Sequence, residues 1–257
     1  MRATAPLRGW LGGKYRLART IVERIPEHTC YVEPFAGAAW VLFTKALSKA
    51  EVLNDINKDI VTLYRVLQWH LEEFLRYFKW ALVSREEFER LRALPPDSLT
   101  DIQRAARFYY LQKTCFGGRM CSPTFGVTVT SPPRLNLLRI EEELSDAHLR
   151  LAGVVLECLP FRAVIARYDR PDTFFYLDPP YWGCESSYGK GLFSRDDFGA
   201  LAATLAGIKG QFILSLNDVP EIREIFSGYT FEEVSVRYAV ARHHNPLTPE
   251  LLISNYW

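Results

Sequence analysis

Cys30-Tyr31-Val32-Glu33-Pro34-Phe35-Ala36-Gly37-Ala38-Ala39 decides the fold: an apolar strand runs into a turn of small residues. Trp40-Val41-Leu42-Phe43 then opens a helical pattern expected to end near Lys49. A second strand, Glu51-Val52-Leu53-Asn54, stops at Asp55, after which Ile60, Leu63, Tyr64 and Leu67 recur at helical spacing. Strand, helix, strand, helix in that order argues for an α/β fold with a parallel sheet covered by helices. Further strand signals follow at 154–157, 173–177, 211–215, 230–234 and 251–254. Between the two groups the pattern changes. Helical runs dominate around 71–93 and 101–113, separated by Leu94-Pro95-Pro96-Asp97 and followed by a loop rich in Gly, Pro and Thr. The expected organisation is a sheet domain made of residues 1–66 and 148–257, interrupted by a mostly helical insertion at 67–147.

Composition narrows the class. With 257 residues, 48% of them hydrophobic and 24% charged, the chain has the balance of a globular protein with a sizeable core. No stretch approaches the roughly 20 apolar residues needed to cross a bilayer, and Met1-Arg2-Ala3-Thr4-Ala5-Pro6-Leu7 lacks the apolar centre of a signal peptide. No membrane partner is therefore expected. Five cysteines, at 30, 115, 121, 158 and 184, suggest neither a disulfide scaffold nor a zinc knuckle, and fit a reducing cytoplasm. His243-His244-Asn245-Pro246 reads as a turn before the last strand, and no His/Cys spacing resembles a metal site.

Asp178-Pro179-Pro180-Tyr181 follows directly on the apolar strand Thr173-Phe174-Phe175-Tyr176-Leu177, at the carboxyl edge of the sheet, where such folds build their sites. Two successive prolines supply no N–H, leave their carbonyls free to accept and stiffen the chain. Tyr181 offers a flat ring. The unit suits an amino group on an aromatic base: Asp178 and the Pro179 carbonyl accept its two hydrogens, and the nitrogen becomes electron-rich. A plain strand-ending turn would use the same residue types.

The turn Phe35-Ala36-Gly37-Ala38 admits a ligand close to the backbone but lacks the three glycines that cradle a pyrophosphate. A phosphate-free nucleoside fits better, with Asp55 placed to accept from ribose hydroxyls. S-adenosylmethionine has a ribose and no phosphate. Read singly, Gly37 is equally a packing glycine and Asp55 a helix cap. Upstream, Trp10-Leu11-Gly12-Gly13-Lys14-Tyr15 combines a glycine pair with an aromatic ring and a cation that can meet a ligand carboxylate.

Four segments, Trp10 to Tyr15, Glu33 to Ala38, Leu53-Asn54-Asp55-Ile56-Asn57 and Asp178 to Tyr181, resemble in order and spacing the DNA adenine methylase (Dam) family, the D12 class of N6-adenine methyltransferases. The resemblance covers nearly the whole chain. It implies a Rossmann-like class I methyltransferase sheet, helices on both faces, and a DNA-recognition insertion. It implies that Trp10, Lys14, Asp55 and Asp178 contact S-adenosylmethionine, that Glu33, Phe35, Gly37 and Ile56 line its pocket, and that Asp178, Pro179, Pro180 and Tyr181 hold a flipped-out adenine. No metal is expected. The chain departs from the family at Ala39, where many relatives carry glycine or serine, and at 113–121, which matches the GATC-reading stretch only loosely.

Charge is nearly balanced over the chain, at 31 basic and 30 acidic residues, yet 102–140 holds Arg104, Arg107, Lys113, Arg119, Arg134 and Arg139 with no acidic residue. That insertion is the expected surface for double-stranded DNA. Lys113, Arg119, Arg134 and Asn136 are the candidate contacts. The expected protein is a cytoplasmic, monomeric, bacterial or phage-encoded enzyme. N4-cytosine methylation, methylation of RNA or protein nitrogen, and DNA binding without catalysis are the alternatives.

Overall fold

The computed structural model describes residues 5–118, 121–126, 134–189, 191–237 and 247–257. In chain order its elements are α1 (Ala18–Val22), β1 (Cys30–Glu33), α2 (Trp40–Thr44), β2 (Ala50–Asn54), α3 (Lys58–Trp69), α4 (Leu71–Phe78), α5 (Arg85–Ala93), α6 (Asp101–Thr114) and α7 (Ile140–Leu151). They continue as β3 (Val154–Glu157), α8 (Phe161–Tyr168), β4 (Thr173–Leu177), α9 (Asp196–Leu205), β5 (Gln211–Asn217), α10 (Pro220–Ile225), β6 (Thr230–Arg237) and β7 (Leu247–Ser254).

Seven strands form one sheet in the order β3-β2-β1-β4-β5-β7-β6. β1 to β5 pair in parallel, and β7 runs antiparallel between β5 and β6. The α/β class, with helices on both faces, is as expected. Strand order reverses between β1 and β4, which opens a crevice beyond their carboxyl ends.

Alternation along the strands sorts the core into two layers. Tyr31, Phe174, Tyr176, Ile213 and Leu252 pack against residues of α1 to α7. Val32, Phe175, Leu177, Phe212, Leu214 and Ile253 pack against α8, α9 and α10. The helices of the expected insertion therefore share one core with the sheet. Residues 67 and 147, its expected limits, lie inside α3 and α7.

Several lengths differ from the sequence reading. The run 71–93 is two helices, because the Ser84 hydroxyl accepts from the Glu87 amide and caps a new start. α2 stops at Thr44 instead of Lys49, where Lys45 turns extended and its ammonium reaches Glu51 at 2.6 Å. β5, β6 and β7 are longer than the apolar runs that signalled them. The predicted turn at 243–246 lies outside the described residues.

Glu51 also receives both terminal nitrogens of Arg150 from α7, whose guanidinium donates to the Leu42 carbonyl as well. One largely buried carboxylate thus joins α2, β2 and α7. Glu51→Gln leaves two cations without their counter-charge and is expected to cost about 3 kcal/mol. Urea unfolding of the two proteins at neutral pH checks this. An unchanged midpoint refutes it.

Candidate active site

The crevice between β1 and β4 is a partly open cavity lined by residues from five separate stretches of chain. Trp10, Lys14, Glu33, Phe35, Gly37, Asp55, Ile56, Asp178 and Pro180 all face it. Nine sequence-predicted residues are thereby brought together, although Trp10 and Pro180 are 170 positions apart. Pro179 and Tyr181 are not in its wall. Tyr181 joins through Lys14, whose Nζ stands 4.6 Å from the ring centroid.

Each wall segment is held by local bonds. Gly37 has φ of +47°, and a Cβ there would lie 3.3 Å from Trp10 Nε1, so glycine serves both the turn and the close approach. Ala39 also takes a left-handed conformation, with φ of 51°, at the position where the resemblance expects glycine. The Gly37 amide donates to Asp55 Oδ2 at 2.9 Å and the Asn57 amide to Oδ1 at 2.9 Å. Asp55 thus clamps the glycine turn to the start of α3. Enclosure pushes its pKa up to about 6, against the pull of those two amides.

Lys14 donates to Asp178 Oδ1 at 2.6 Å and to the Gly12 carbonyl at 3.2 Å. The Ser215 hydroxyl of β5 donates to the same Oδ1 at 3.0 Å. Burial raises the Asp178 pKa, and the Lys14 charge is the chief force holding it down. Oδ2 accepts no hydrogen bond from the described residues, so this oxygen is open to a ligand.

Glu33 is buried, and its Oε1 accepts from the Tyr31 hydroxyl at 2.7 Å and the Leu42 amide at 2.8 Å. Burial outweighs both and pushes it up to about 8, so it carries its proton at neutral pH. Phe35, Phe161 and Phe193 form an aromatic corner with centroids 5.6–6.2 Å apart. Phe161, Phe193, Tyr176, Trp40 and Ser215 were not singled out from sequence. Tyr176 could have been, since it lies two residues before Asp178 and so shares its strand face.

The predicted DNA contacts are dispersed. Arg134 and Asn136 are exposed, and the Asn136 Oδ1 accepts from the Leu138 amide at 3.1 Å. Arg119 lies outside the described residues. Lys113 is not presented to solvent as expected: it is buried in the last turn of α6, 5.0 Å from the Tyr109 ring. Burial, with Arg8 and Arg134 adding, brings it down to about 8. A tally of charge cannot report which way one side chain turns. Among the described residues no three His, Cys, Asp or Glu converge as a metal site, and no helix is long and apolar enough to cross a membrane.

Residues 10–240 match the family described as D12 class N6 adenine-specific DNA methyltransferase. The chain is 26% identical to the Type II methyltransferase M.CviBI of Paramecium bursaria Chlorella virus NC1A, over 98% of this chain and 99% of that protein. It is 24% identical to the DNA adenine methylase of Haemophilus influenzae, over 93% of this chain and 88% of that one. A DNA adenine methylase of Serratia marcescens is 34% identical over 67% of this chain and 65% of its own.

Glu33 gives a prediction with a definite sign. Its folded pKa of about 8 exceeds the ordinary 4.5, so it favours folding fully below pH 4.5 and loses that contribution as pH rises through 8. Glu33→Gln has no proton to lose. The variant should therefore gain stability relative to wild type between pH 4.5 and 8, on the order of a few kcal/mol at the upper end. Unfolding curves across that range measure the gap, and a pH-independent gap contradicts the assignment.

Proposed function

The chain belongs to the D12 class N6 adenine-specific DNA methyltransferase family, and from that premise we propose how its cavity serves the methylation of adenine in double-stranded DNA. The observation that carries the reading is the Asp178 carboxylate, with one oxygen tied to Lys14 and Ser215 and the other open, in the same cavity as Gly37 and Asp55.

S-adenosylmethionine, when bound, supplies an electrophilic methyl group. The cavity fits such a donor. Gly37 leaves a cradle that a Cβ would fill, Asp55 keeps lone pairs for ribose hydroxyls beyond its two amide bonds, and the Phe35 and Phe193 rings offer apolar faces to a base. Trp10, Glu33 and Ile56 complete the wall, and Lys14 can meet a carboxylate.

The rest is done by the chain itself. A stacked adenine cannot reach a carboxylate inside a crevice, so the base is flipped out at a cost of a few kcal/mol, offset by contacts to the cleft. Asp178 Oδ2 and the Pro179 carbonyl accept from its exocyclic amine, and Tyr181 stacks on its ring. Two acceptors in fixed places draw the nitrogen lone pair out of conjugation and aim it. The helical segment 67–147 acts as the DNA-recognition part, with Arg134 and Asn136 exposed toward a duplex. Lys113 can join them only if its side chain leaves the Tyr109 ring. The enzyme is read as a monomer of the cytoplasm, where its free cysteines stay reduced.

Radiolabelled methyl transfer to separate pools of duplex DNA, RNA and protein, followed by nucleoside analysis, tests this directly. Label is expected in duplex DNA as N6-methyladenine. N4-methylcytosine, or label confined to RNA or protein, overturns the reading. Asp178→Ala should lower transfer at least about a hundredfold with the fold retained, and near-normal transfer by the folded variant removes Asp178 from its role.

A further inference from the structure

Strand geometry brings one more carboxylate to the edge of this site. β7 runs antiparallel, so its early residues lie where the parallel strands end. There Glu250 stands opposite Asn217 of β5 and Val234 of β6, on the same sheet face as Ser215 and Leu252. It is completely buried, neither carboxylate oxygen meets a donor at full hydrogen-bond geometry, and the Tyr181 hydroxyl is the donor close enough to hold its pKa down. Buried groups so incompletely bonded are costly and rare in folded proteins.

The Tyr181 hydroxyl is a second buried polar group whose hydrogen bonding is incomplete, with Glu250 in reach but short of full geometry. The two are neighbours. Asn217, across the strand pair from Glu250, grips the residue after Tyr181: its Oδ1 accepts from the Trp182 amide at 2.9 Å and its Nδ2 donates to the Trp182 carbonyl at 3.2 Å. The groups also affect each other's protonation. Burial and the Glu250 charge push the Tyr181 hydroxyl far up, while Lys14 and Tyr181 restrain a Glu250 raised by burial and, more weakly, by Asp178. A carboxylate accepts only and a phenol donates, so each is what the other lacks.

Resting on the adenine-methylating reading above, we propose that Glu250 is a positioning residue, which accepts from the Tyr181 hydroxyl, completes that bond when a base stacks on the ring, and so fixes the ring beside Lys14 and Asp178. Glu250 does not touch the base; it acts through Tyr181. Lys14, 4.6 Å from the ring centroid, bounds the same ring from the cavity side.

The test compares wild type, Glu250→Gln, Tyr181→Phe and the double variant in methyl transfer from S-adenosylmethionine to unmethylated phage λ DNA, with donor affinity measured separately by calorimetry. Loss of one buried hydrogen bond that is completed with the base in place should lower kcat/KM for DNA about tenfold in each single variant. Donor affinity should stay within about twofold of wild type, and the double variant should be no worse than the poorer single one. Wild-type kcat/KM for Glu250→Gln, losses that multiply in the double variant, or a loss confined to donor affinity overturns the proposal. If Glu250→Gln does not fold, Tyr181→Phe decides alone, since it keeps the stacking face and removes only the donor: wild-type kcat/KM refutes the role. An inactive wild type would instead sink the adenine-methylating reading.

Discussion

One ion pair, Lys14 to Asp178, governs the site. A carboxylate enclosed at the end of a central strand tends to take up a proton, and a protonated Asp178 would lose acceptor capacity at the oxygen proposed to hold an amine. A lysine 2.6 Å away is the chief force opposing that uptake. The lysine is held in turn: the Lys14 carbonyl accepts from the amides of Leu17 and Ala18 at the start of α1, and a Cβ at Gly13 would stand 3.2 Å from the Trp40 ring. The N-terminal segment is therefore wedged across the sheet edge, and the charge at its tip is placed by backbone packing more than by its own flexible stem.

Period-two alternation does the remaining assembly. Tyr31 and Glu33, Tyr176 and Asp178, Ile213 and Ser215, and Glu250 and Leu252 each belong to one series on one face of the sheet. Deep in the sheet these series are apolar and join the core with α3 and α6. At the carboxyl edge the same series turns acidic or hydroxylic. The polar site is thus the last rung of a hydrophobic layer, which is why burial dominates the pKa of Glu33, Asp178 and Glu250 alike.

What could be read from the sequence follows this division. The strands β1 to β4 and the acidic and glycine positions at their ends were legible, because apolar runs broken by Asp, Gly or Pro mark both a buried strand and its exit. Glu250 was not, since the apolar run signalling the last strand starts at Leu251, and a lone glutamate before it reads as solvated. Only pairing β7 between β5 and β6 buries it. Lys113 failed in the opposite direction: the long acid-free stretch was real, yet a helix turns its side chains through every direction, and the Tyr109 ring captures this one. Lys45 ends α2 early through a partner that only the assembled β2 provides.

The cavity's acids differ in protonation because their partners differ, although all are enclosed. Asp55 is met by two backbone amides and sits near 6, which leaves it mostly ionised at neutral pH. Glu33 is met by one hydroxyl and one amide, both on the same oxygen, and at about 8 remains mostly protonated. Asp178 has a full cation beside it. A protonated donor at the end of β1 at neutral pH thus stands beside the Lys14-paired Asp178 at the end of β4, on adjacent strands facing one cavity. Two carboxyl groups a strand apart differ in their surroundings, chiefly through Lys14 with Ser215 adding at Asp178, and the proposed holding of an amine beside polar ligand atoms calls for that asymmetry.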